Sequence, residues 1–64
     1  MGQLKIGDQV EVEYYGNKIP GVFEGTCSYG HGVRVDPNSP EAKAAGYAGA
    51  ASDLWSPESV TKVS

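Results

Sequence analysis

Sixty-four residues make one small domain, 1–64, because a chain of this length buries only about 60% of the surface it exposes when unfolded. Nine glycines and four prolines exclude a helical bundle, since each costs roughly 1–3 kcal/mol inside a helix. Five Lys/Arg against eight Asp/Glu give a net charge of −3, too few cations to neutralise duplex phosphates, so no duplex nucleic acid is expected as partner. The first strand is Gln9–Tyr14, where Val10, Val12 and Tyr14 alternate with Glu11, Glu13 and Tyr15. Tyr15-Gly16-Asn17-Lys18 breaks it, and Ile19-Pro20-Gly21 leads into a second strand over 22–29. Gly25 in mid-strand predicts a bulge or a sharp bend. Gly30-His31-Gly32 reads as a tight hairpin loop before a short third strand, Val33-Arg34-Val35.

Ser39-Pro40-Glu41 then carries helix-start signals, and Gly46 is placed to stop the helix after one or two turns. The alternative is plain loop. With Tyr47–Ser52 it makes a long insertion, 37–52. Asp53-Leu54-Trp55 is a fourth strand, Ser56-Pro57-Glu58-Ser59 one helical turn, and Val60–Val63 a last strand. The core is expected to hold about a dozen side chains. A core that thin makes a homo-oligomer worth considering as a second source of stability.

Cys27 is the sole cysteine, which excludes an internal disulfide and a cysteine-based metal cluster; no metal and no cofactor are expected. There is no charged-then-apolar leader and no apolar run of about eighteen residues. A cytoplasmic location, in a bacterium or a phage-infected cell, and no membrane span are therefore expected.

The order of strands and turns is similar to that of an SH3-like small barrel. The likeness rests on Gly7-Asp8-x-Val10-x-Val12, on Gly21-Val22 and on Leu54-Trp55-x-Pro57-x-x-Val60. The expected fold is all-β: a five-stranded SH3-like barrel with a long loop or short helix between strands 3 and 4, and one helical turn before strand 5. Many functions sit on this barrel, so the fold alone names none.

The same skeleton resembles Tudor and Agenet domains, which bind peptides, often with methylated Lys or Arg, in an aromatic cage. A cage works because a cation is drawn to the negative faces of π systems. The available rings are Tyr14, Tyr15, Phe23, Tyr29, Tyr47 and Trp55. Against this stands the plainer reading that most of them fill the core. Parity puts Tyr15 on the face opposite Tyr14, and so at the surface. The resemblance implies a non-catalytic module that recognises a protein or peptide partner through Tyr15, Phe23, Tyr47, Trp55 and Arg34.

A second likeness is to the small stromal subunit of photosystem I that helps dock ferredoxin. Val33-Arg34-Val35-Asp36 is similar to its Val-Arg-Phe-Asp strand, and Gly46–Ser52 to its Gly-Tyr-Ser-Gly-Ser-Ala-Ser loop. It implies an accessory subunit of an electron-transfer complex, docking a redox protein with Arg34 as the cation. That family's Tyr-Trp-Tyr segment is absent, and Tyr14-Tyr15-Gly16 is the nearest match. A third likeness is to the plasmid-borne type II dihydrofolate reductase. Its active-site strand Val-Gln-Ile-Tyr falls on Ser52-Asp53-Leu54-Trp55 and matches at no position, so no enzyme is expected.

Single residues point the same way. His31 lacks the partners that a general base or a metal site needs, and reads as an exposed turn residue. Cys27 reads as a small buried thiol. Asp8, Glu11, Glu13 and Glu24 form either an anionic surface or an ordinary solvated face. Arg34, the sole arginine, is either a binding anchor or the cross-strand partner of Glu24 or Asp36.

Overall fold

A computed structural model describes residues 4–63. The elements are β1 (Gln9–Tyr14), β2 (Asn17–Cys27), β3 (Gly30–Val35), α1 (Pro40–Ala45), β4 (Ser52–Trp55), a 3-10 turn (Pro57–Ser59) and β5 (Val60–Lys62). The five strands form one antiparallel sheet in the order β4-β3-β2-β1-β5. The domain is thus all-β, with the short helix between β3 and β4 and the helical turn before β5. No helix among the described residues is long and apolar enough to cross a membrane.

β2 is the hinge of this sheet. Its first half pairs with β1, from Tyr14↔Asn17 to Gln9↔Val22, and its second half pairs with β3, from Gly21↔Val35 to Cys27↔Gly30. The register slips between Phe23 and Gly25, and Gly25 takes φ 128°, which only glycine adopts without strain. The bend expected at Gly25 is therefore present. Pro20 lies inside β2, opposite Glu11. Counted back from the two-residue turn, that is a non-hydrogen-bonded position, so the missing N–H costs the β1–β2 ladder nothing.

The core holds Val10, Val12, Ile19, Phe23, Val33, Val35, Ala42, Tyr47 and Val60. Leu4, Tyr14, Ala45 and Trp55 pack half-buried around it. The insertion is ordered by its own signals. Ser39 Oγ accepts from the Ala42 N–H at 3.2 Å, and Pro40 occupies the first turn. Gly46 turns left-handed at φ 72°; its N–H donates to Lys43 O and the Tyr47 N–H donates to Ala42 O. That stop swings Tyr47 back beside Ala42, and both side chains enter the core.

Three local expectations are corrected. The second strand starts at Asn17, not Val22, because Tyr15-Gly16 alone makes the first turn. The second turn is Ser28-Tyr29, and Gly30-His31-Gly32 belongs to β3. Gly30 is there for a close approach: a Cβ on it would stand 2.5 Å from the Trp55 carbonyl oxygen, and its φ is 137°. Cys27 is exposed rather than buried, since β2 runs past the edge of the core before it turns.

Gly30→Ala combines that clash with a strained φ and is expected to lower the unfolding free energy by about 2 kcal/mol or more. Chemical denaturation checks this, and an unchanged midpoint would contradict the tight β3–β4 crossing.

Candidate functional site

Four of the six aromatic rings meet where the end of β1, the end of β4 and the loop after α1 come together. Tyr14 is the hub. Its ring centroid lies 4.6 Å from Tyr15, 5.2 Å from Tyr47 and 6.3 Å from Trp55, each in an edge-to-face arrangement. Tyr47 and Trp55 lie 5.8 Å apart with their planes tilted by 31°. Such contacts add about 0.5–1.5 kcal/mol per pair beyond area burial.

Each ring is positioned by a backbone device. Tyr14 continues the core-facing parity of Val10 and Val12 to the end of β1, where the buried interior gives out. Tyr15 and Gly16 are the central residues of a two-residue hairpin, with φ 48° and 82°. Both positive values fit a type I′ turn, which favours Asn-Gly. A tyrosine there costs roughly 1–2 kcal/mol, and its ring stands 87% exposed. Tyr47 is held by its Oη, which donates to Ala50 O at 2.5 Å, and its ring lies against Gly49, where a Cβ would come within 2.6 Å. Trp55 is fixed by the Gly30 crossing and by the pairing His31↔Trp55. Its Nε1–H is buried with no acceptor among the described residues. The ring contacts hold it there against a desolvation cost of about 1–3 kcal/mol.

The electrostatics are anionic. Burial first, then the Asp53 carboxylate and Tyr14, push the Tyr47 phenol above its ordinary range. Asp53 is exposed and its Oδ1 also accepts from the Leu54 N–H at 2.8 Å. No cavity opens among the described residues. Tyr14 stands edge-on between Tyr15 on one side and the Tyr47–Trp55 pair on the other, so the rings pack on one another and enclose no hollow cage.

The structure sorts the five residues expected to form the site. Tyr15 is exposed and meets the cluster through Tyr14, and Trp55 is half-buried against the core on the other side of Tyr14. Tyr47 belongs to the same cluster but is buried, because the left-handed stop at Gly46 turns it inward. Phe23 is a core residue and presents no surface; its ring meets His31 edge-on at 5.3 Å. Arg34 points outward, away from the cluster's face of the sheet, and its Nε donates to Glu24 Oε2 at 3.0 Å. It is the cross-strand partner of Glu24. His31 lies in β3, not at a turn tip, with Nδ1 3.0 Å from Thr26 Oγ1. Of the acidic group, Asp8 holds the Lys5 N–H at 2.9 Å and Lys62 Nζ at 3.7 Å, so it fastens the chain entry to β5. Two members of the cluster were not among those five. Tyr14 reads as core by parity, and Asp53 reads as part of a short strand. No group of three or more His, Cys, Asp or Glu among the described residues is placed to hold a metal ion.

No family model, curated protein or solved structure matches the chain.

The raised Tyr47 pKa fixes a sign. A phenol that stays neutral more readily when folded stabilises the fold below the unfolded value near 10, and that stability is lost as pH climbs through the folded value. Ultraviolet titration is expected to show one tyrosine ionising late, with stability falling alongside. In Tyr47→Phe the late step disappears, and the lost hydrogen bond costs about 1 kcal/mol.

Proposed function

We propose that this domain is a non-catalytic binding module that receives a cationic side chain of a protein or peptide partner on the exposed ring of Tyr15, at the edge of the Tyr14–Tyr47–Trp55 cluster. The observation that carries this is Tyr15. A tyrosine occupies a left-handed turn position at a conformational cost, and the ring so held is almost fully exposed. The turn itself does not call for it, since asparagine or glycine would make the same turn more easily, and its one ring contact is edge-on with Tyr14. What the tyrosine adds is an exposed aromatic face beside Tyr14, at the edge of a cluster whose Tyr47 feels the Asp53 carboxylate.

The chemistry favours a cation. An ammonium or guanidinium within about 6 Å of a ring centroid gains roughly 0.5–1 kcal/mol at an exposed site. Several rings in contact, a carboxylate and a net charge of −3 all act in the same direction. Because no pocket encloses the rings, one side chain lying on the exposed Tyr15 face is a better match than an enclosed methylated group. The SH3-like and Tudor-like resemblance supports the same reading. The electron-transfer alternative depends on Arg34 as a free docking cation, and Glu24 already neutralises that charge.

Tyr15→Asn separates binding from folding. Its denaturation midpoint is expected to stay at or slightly above wild type, as the relieved turn strain offsets the lost Tyr14–Tyr15 contact. Its response to Lys- and Arg-bearing peptides, methylated and unmethylated, followed by Trp55 fluorescence, is expected to fall. Wild-type protein that gives no response to any such peptide, or a Tyr15→Asn variant that binds as well as wild type, would overturn the proposal.

A further inference from the structure

The strand order leaves β4 and β5 each with one open edge among the described residues. Ladder parity shows which backbone groups face outward there. The Val35 N–H donates to Ala51 O at 2.7 Å, so Val35 and Ala51 form a hydrogen-bonded pair. The alternation then turns the backbone of Asp53 and Trp55 toward β3, and that of Ser52 and Leu54 toward the open edge. At the other end of the sheet the Val63 N–H donates to Gln9 O at 3.0 Å. By the same rule the backbone of Thr61 faces β1, and that of Val60 and Lys62 faces outward.

An open edge is a template on which another chain can pair. β4 is the more vulnerable of the two, since Ser52, Asp53 and Leu54 are exposed on both faces of the sheet. Two contacts within the chain close the outward donors. The Val60 N–H donates to Pro57 O, so the 3-10 turn covers its own end of β5. The Leu54 N–H donates to Asp53 Oδ1 at 2.8 Å. Aspartate is depleted in strands because its side chain competes for backbone groups. Here that competition is directed at a donor the ladder does not use. The carboxylate forms no ion pair among the described residues, so its one hydrogen-bond partner is the edge itself.

We infer that Asp53 guards the β4 edge: by occupying the Leu54 N–H it keeps a second copy of this chain from adding a strand there. An incoming antiparallel strand needs the N–H and the C=O of Leu54 together, because a hydrogen-bonded pair exchanges both bonds. With the N–H taken, the newcomer's carbonyl meets a carboxylate oxygen instead of a donor, and two acceptors face each other. A polar group brought into a contact without its partner costs more than the contact returns. The guard matters because the two open edges differ. A strand added at one of them leaves the other free, so the contact propagates from copy to copy rather than closing. This role is independent of the cation-binding reading of Tyr15.

Magnetic resonance and sedimentation on the full chain test this. In wild type the Leu54 amide proton is expected to move upfield as acid protonates the Asp53 carboxylate, because a charge-assisted hydrogen bond holds it downfield. Asp53→Ala is expected to keep the wild-type circular dichroism and yet to sediment as larger species than wild type as concentration rises, with amide exchange slowed at Ser52 and Leu54. Asp53→Asn keeps an acceptor oxygen for the Leu54 N–H without the charge, and is expected to sediment as wild type does. Any of four results would overturn the inference. These are a Leu54 amide that ignores the carboxyl titration, an Asp53→Ala variant that sediments like wild type, association that leaves exchange at Ser52 and Leu54 unchanged, or an Asp53→Asn variant that associates as strongly as Asp53→Ala.

Discussion

The central strand β2, bent at Gly25, is the element on which the rest of the sheet is assembled. β2 pairs with β1 on one edge and with β3 on the other, and the slipped register between Phe23 and Gly25 bends it along the part that pairs with β3 alone. The bend folds the sheet so that Val10, Val12 and Ile19 meet Phe23, Val33 and Val35 across a single interior. The end of β1 comes to lie near the end of β4, which gathers the aromatic rings.

The insertion between β3 and β4 completes the core. Its helix is too short to be stable by propensity. Ser39, Pro40 and the left-handed Gly46 define its ends, and Ala42 and Tyr47 anchor it in the interior. Tyr47 then orders the residues after it, through Ala50 O and the face of Gly49. The Val35 N–H donates to Ala51 O and carries the chain directly into β4. One side chain thus links the core, the loop and the aromatic cluster.

Much of this is legible in the sequence, for reasons that differ from place to place. Val10, Val12 and Tyr14 alternate, and strand geometry turns that alternation directly into a buried face. The Ser-Pro start and glycine stop of α1 are local chemistry, and a local signal survives folding. The turns were harder. Gly30 and Gly32 look like a hairpin tip because glycine permits positive φ, but Gly30 is required by the passage of β4, a contact distant in sequence. Tyr15-Gly16 looks unlike a type I′ turn, because the residue that favours that turn is asparagine. The aromatic cluster is only partly legible, because the rings that meet do so through Tyr14. Tyr47 and Trp55 meet, and Tyr15 joins them only through Tyr14, but Phe23 is drawn into the core by its parity with Ile19 and Gly21. Arg34 was taken by Glu24. Tyr14 belongs to both core and site, since it lies where β1 leaves the interior, and alternation cannot show where an interior ends.

The central claim is that a cation rests against the exposed ring of Tyr15. Ring currents offer the most direct measurement: the proton chemical shifts of the side-chain methylenes of a Lys- or Arg-bearing peptide, with and without the protein. A cation lying on ring faces places those protons in the shielding region, so upfield displacement is expected, and it should shrink in Tyr15→Asn. Binding that leaves those protons unshifted, or shifts them equally in the variant, would contradict the claim.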